Sequence, residues 1–108
     1  MIKELFTLTL SSDLIVAIVK RSPMCRYFVL VESSDRLATY ETHREGEPIP
    51  TRLTYTIEQA ETAGMLAREM WRKYPALLLR KQASSALAHA VYPDVFLFDD
   101  GREMEKTA

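Results

Sequence analysis

Five cations, Arg68, Arg72, Lys73, Arg80 and Lys81, fall in the stretch 68–81 against a single acid, Glu69, and Trp71 and Tyr74 lie among them. Cations beside aromatic faces are the combination that neutralises phosphates while stacking bases, so this stretch is the candidate nucleic-acid site. Ser84 follows Arg80 by four residues, which puts both on one side of a helix, and a small hydroxyl there leaves room for a phosphate. The same residues have a plainer reading. A Trp and a Tyr just before a helix commonly pack into a core or a hydrophobic staple, and basic residues on a helix commonly form a solvated face.

Other chemistry is poorly supplied. Cys25 with His43 would make a nucleophile and base if an imidazole could hold the thiol as thiolate, but no local motif links them, and Cys25 reads as a small core residue. His89 falls outside the apolar stripe of its helix, and one Cys with two distant His does not compose a zinc site. Gly46, Gly64 and Gly101 are isolated, so no glycine-rich phosphate loop exists. Glu58 and Glu61 sit at the start of a helix, where the dipole favours carboxylates, and read as solvated surface. The expectation is a non-enzymatic protein with no catalytic residue, no metal and no cofactor.

Composition sets the frame for these residues. A chain of 108 residues that is 47% hydrophobic has room for one core. With 14 basic and 15 acidic residues its net charge is −1, so any polyanion binding must come from local clustering. One cysteine forbids an internal disulfide and points to a reducing compartment. The first ten residues mix Lys3 and Glu4 with Thr7 and Thr9, unlike a signal peptide, and no run is apolar enough to span a bilayer, so a cytoplasmic protein without a membrane partner is expected.

The elements follow from pattern. Ser11, Ser12 and Asp13 before the apolar run Leu14–Val19 predict a short helix to about Lys20, ended by Pro23; the β-branched content leaves a buried strand as the competing assignment. Cys25 to Glu32, nearly all apolar or aromatic, predicts a strand covered on both faces, with Tyr27, Val29 and Val31 opposite Phe28 and Leu30. A polar turn at Ser33–Arg36 leads to a strand from Leu37 to Arg44, and after Gly46 and two prolines a third runs from Thr51 to Tyr55. Thr56 with Gln59 forms a capping box for a helix Ile57–Ala63, with Gly64 as its left-handed stop. Met65–Tyr74 carries no clear pattern. Pro75 opens a helix to about Val91 with Ala76, Leu79, Ala83, Ala86, Leu87, Ala90 and Val91 on its apolar face, and Pro93 ends it. The fold class expected is α+β: a short helix, a three-stranded antiparallel meander and then two helices, as one domain over 1–98 with an acidic, frayed tail at 99–108.

In order, Thr42-His43-Arg44-Glu45-Gly46, Leu53-Thr54-Tyr55-Thr56-Ile57-Glu58 with Ala60, Ala63-Gly64, Trp71, Tyr74-Pro75, Leu79-Arg80, Ala83-Ser84 and Tyr92-Pro93-Asp94-Val95 resemble the RecT/Bet family of phage and prophage recombinases, which anneal single-stranded DNA. The resemblance implies a β-β-β-α core, a likeness to homo-oligomeric rings or filaments, and DNA along a positively charged groove. It assigns a basic role to Arg80, to which charge alone adds Lys81, Lys73 and Arg72 as neighbours. It also implies a phage exonuclease or a host single-strand-binding protein as partner. Gln82 stands where the family commonly has a second Arg, and Phe96-Leu97-Phe98 replaces a glycine-containing segment. The match begins near Ser11–Val19, so the chain is expected to lack the family's N-terminal region.

The function expected is therefore single-stranded DNA binding and annealing through Arg80, Lys81, Lys73, Arg72, Trp71, Tyr74, Ser84 and Arg68. The alternatives are a truncated phage-encoded module that binds a host protein, such as a defence component, and an inactive prophage remnant.

Overall fold

The computed structural model describes residues 11–95, and the acidic tail and the segment before Ser11 lie outside them. The order is helix α1 (Ser12–Arg21), strands β1 (Cys25–Ser33), β2 (Leu37–Arg44) and β3 (Thr51–Thr56), and helix α2 (Ile57–Thr62). A 3-10 turn (Met65–Ala67), a short helix α3 (Glu69–Lys73) and the long helix α4 (Pro75–Val91) follow. The class is α+β, as the pattern implied. The stretch 65–74 that carried no clear pattern is the 3-10 turn and α3, too short for periodicity to register.

Ser11 caps α1 by accepting from the Leu14 amide at 3.1 Å, which decides the helix over the competing strand. The sheet is antiparallel in the order β1-β2-β3, with Leu30 opposite Tyr40 and Tyr40 opposite Leu53. Ser34 accepts from the amides of Arg36 and Leu37 and closes the first hairpin. At α2 the capping box is complete: Thr56 accepts from the Gln59 amide at 3.2 Å and Gln59 accepts from the Thr56 amide at 2.9 Å. Gly64 follows with φ of 79°, a conformation that a side chain would strain.

All the helices that pack on the sheet use one face of it. α4 crosses β2 and β3, and α1 lies against α4 and β1. Two clusters result. One joins Ile15, Val19, Phe28, Leu87, Ala88 and Tyr92, and the other Ala38, Ala60, Trp71, Leu79 and Ala83. The buried stripe of α4 is Leu79, Ala83, Ser84, Leu87 and Ala88, so Ala90, placed on the apolar face by pattern, is exposed and Ala88 takes the inner position. β1 departs further from expectation. Phe28 is buried, but Val29, Leu30 and Val31 are 46%, 45% and 42% exposed: Val29, opposite Glu41, lies on the face that no described helix covers, and β1 is an edge strand among the described residues.

The opposite face of the sheet is polar. Thr39 and Thr54 share a hydrogen bond at 2.6 Å, and Glu41 accepts from the Tyr27 hydroxyl and from Arg52. The Tyr27 hydrogen bond, with help from Arg52, holds the Glu41 carboxyl below its usual range, and the same bond pushes the Tyr27 phenol up.

Candidate nucleic-acid interface

Pro75 at the first position of α4 fixes where each later side chain points. Arg80, on the second turn, reaches to the end of β1 and donates to Ser33 Oγ at 2.9 Å. Its charge also bears on half-buried Tyr40, whose phenol burial pushes up while Arg80 acts to lower it. Lys81 points toward the start of α1, with its Nζ 3.5 Å from Asp13. Arg80, Lys81, Ser33, Tyr40 and Asp13 thus meet at one corner, where α1 begins and β1 ends.

Arg80 pairs with no carboxylate among the described residues. Its hydrogen-bond partner is a neutral hydroxyl, so its charge remains available to an incoming anion. Lys81 is partly offset by Asp13, but that pair is long and the carboxylate is 88% exposed, so it competes weakly with a phosphate. Leu77 and Lys81, four residues apart, share a face of α4, and Tyr74 stands at the N-cap of the same helix. Tyr74 is 52% exposed and Leu77 38%, which leaves an aromatic and apolar strip leading to the two cations.

The other sequence-predicted residues are dispersed. Trp71 is buried with Ala38, Ala60, Leu79 and Ala83, so its ring belongs to the core and is closed to a base. Ser84 is likewise buried, and its hydroxyl donates to the Lys81 carbonyl at 3.2 Å; the backbone occupies the place a phosphate would need. Arg72 donates to the Leu66 carbonyl at 2.7 Å, and Lys73 pairs with Glu69 at 3.1 Å. Arg68, exposed at the start of α3, has no ionic partner among the described residues. Arg72, Lys73 and Arg68 therefore form a flank around α3, apart from the Arg80 corner. Pattern reading missed Ser33, Tyr40, Asp13 and Leu77. Helical spacing from Lys81 could have found Leu77, but Ser33 lies 47 residues from Arg80 and left no local signal.

No family model, curated protein or solved structure matches this chain. Function is therefore to be read from geometry and charge.

The nucleophile and base weighed from the sequence are not brought together. Cys25 lies beside the Tyr92 hydroxyl on the helix side, whereas His43 packs edge-on against Tyr27 on the polar face, with Nε2 2.8 Å from the Glu47 carbonyl oxygen. The imagined nucleophile and base are thus separated by the sheet. The described residues hold no group of three His, Cys, Asp or Glu side chains placed to bind a metal ion, and none of their helices is long and apolar enough to cross a membrane. A shallow depression lined by Tyr55, Glu58, Gln59, Thr62 and Ala63 carries a carboxylate and no cation, which makes it a poor seat for an anion.

Proposed function

We propose that the protein binds single-stranded DNA along the exposed strip of α4, with Arg80 and Lys81 on phosphates and Tyr74 beside a base. The observation that carries this reading is the Arg80 guanidinium, held over the end of β1 by Ser33 without an acidic partner among the described residues. Beside it, Tyr74 and Leu77 offer the exposed surface that a single strand needs for stacking. Annealing of complementary strands, which the ordered motifs imply, requires no covalent step. It requires that two strands be neutralised and held with their bases free to pair. Arg72, Lys73 and Arg68 on the flank would extend the path of the backbone, while Trp71 and Ser84 act through the core alone. The proposed setting is the cytoplasm of a phage-infected or lysogenic cell, alongside an exonuclease or a single-strand-binding protein.

A second reading, a module that binds another protein, is favoured by the apolar edge of β1, which is unpaired among the described residues.

Fluorescence-anisotropy titration of a labelled single-stranded oligonucleotide, at low and moderate salt, tests the first reading. Wild-type binding is expected to weaken with salt, and the Arg80→Ala/Lys81→Ala variant to bind at least about tenfold more weakly, with a log–log salt slope smaller by about 1.4 for two lost phosphate contacts. Absence of binding by folded wild-type protein at low salt, or an unchanged variant, would rule out this site.

A further inference from the structure

We infer that the outer edge of β1 is a homodimer interface, in which the β1 strands of two copies pair antiparallel about Val29. β1 is nine residues long, and its outer edge offers main-chain donors and acceptors that nothing among the described residues uses. Edges are commonly blunted by charge or bulges; in β1 both fall toward the ends of the strand, at Arg26, Val31 and Glu32, and Val29 and Leu30 between them are apolar and half exposed. Leu30 belongs to neither core cluster and keeps 45% of its surface exposed in one copy.

The strand is complementary to itself. With Val29 opposite Val29 of a second copy, Phe28 meets Leu30, Tyr27 meets Val31, and Arg26 meets Glu32, each pair occurring twice by symmetry. Arg26 and Glu32 are the charged residues of β1, and this register sets each against its opposite in the other copy. Both also face the polar side of the sheet. Glu32 lies opposite Thr39, whose hydroxyl bonds Thr54 there, and Arg26 approaches Glu45 at 3.8 Å, a contact exposed enough to yield. Bulges at Arg26 and Val31 twist the ends of β1 and confine the regular ladder to Tyr27–Leu30, which contains the proposed axis. Pairing would produce a six-stranded sheet with the helices of both copies on one face.

Arg80 touches β1 at Ser33, one residue beyond Glu32, and Lys81 points to Asp13, so the variants that test this interface differ from those that test DNA binding. Sedimentation equilibrium of the full chain, from about 1 to about 200 µM, reads the association directly and covers the range expected for a small interface. Wild type is expected to dimerise. Arg26→Glu should weaken the dimer by about tenfold, because two like-charge pairs replace two attractive ones, and Arg26→Glu/Glu32→Arg should restore it. Val29→Lys, on the exposed side of the strand, should abolish it while circular dichroism remains native. A monomer throughout the range overturns the inference. So does a dimer indifferent to all three variants.

Discussion

Trp71→Ala is expected to lower the stability of the fold by about 3–5 kcal/mol, the usual cost of truncating a buried large aromatic. The ring is 6% exposed and stands between α4 and the β2 side of the second cluster, where Ala38, Ala60 and Ala83 are too small to close over the space it would leave. For a domain whose total stability is of the order of 5–15 kcal/mol, that is a loss large enough to populate the unfolded chain. Urea unfolding followed by far-ultraviolet circular dichroism measures it, because the chain has one Trp and the variant loses its fluorescence reporter. The same residue separates core from interface. In the wild type, saturating oligonucleotide should leave Trp71 emission unquenched, whereas a ring that stacks on bases would be strongly quenched.

Tyr92→Ala should be about as damaging, again about 3–5 kcal/mol, since Tyr92 is the largest fully buried side chain among the described residues and anchors the first cluster with Val19 and Leu87. Tyr92→Phe separates the ring from its hydroxyl. The hydroxyl bonds Thr42 Oγ1 at 2.8 Å, and Thr42 keeps a second contact to the Tyr27 carbonyl at 2.7 Å, so its loss should cost only about 1 kcal/mol. Burial, together with the Cys25 thiol, pushes the Tyr92 phenol from 10.0 up to about 12. Folding thus favours the protonated phenol. Below pH 10 its contribution is intact; above it the unfolded chain releases the proton first, and stability falls until the native phenol also ionises near pH 12. Thermal melts between pH 9 and 12 should show a shallower alkaline decline in Tyr92→Phe than in wild type. Equal slopes would mean that Tyr92 does not drive the loss.

The two aromatic anchors illustrate what the amino-acid order discloses. The capping box at Thr56, the stop at Gly64 and the helix start at Pro75 are local devices whose partners lie within a few residues, and all three were legible. The meander was legible for the same reason, since a short polar turn joins β1 to β2. Burial was harder to read. An apolar run looks the same on a covered strand and on an edge strand, so the exposure of Val29, Leu30 and Val31 had no signature. Tyr92 was visible only as part of a motif, because its partners Thr42 and Cys25 lie far back in the chain.

The candidate site divides in the same way. Charge clustering located Arg80 and Lys81, but it could not separate them from Arg72 and Lys73, which the fold commits to a local carbonyl and to Glu69. Helical spacing put Ser84 beside Arg80, yet spacing alone does not say which side of a helix meets the sheet. The buried stripe decides that, and it includes Ser84.

Helix α4 is tied to different parts of the chain along its length: Lys81, near its middle, lies 3.5 Å from Asp13 at the start of α1, and the Val91 carbonyl at its end accepts from Arg44, which also grips Asp94 with two hydrogen bonds of 2.7 Å. At 1.5 Å per residue those fastenings are about 15 Å apart. Chain entering at Ser11 therefore joins the domain beside the basic corner, and chain leaving at Val95 departs from the far end. A dye placed at Ser11 would therefore crowd Arg80 and Lys81, whereas one placed at Val95 would leave them clear.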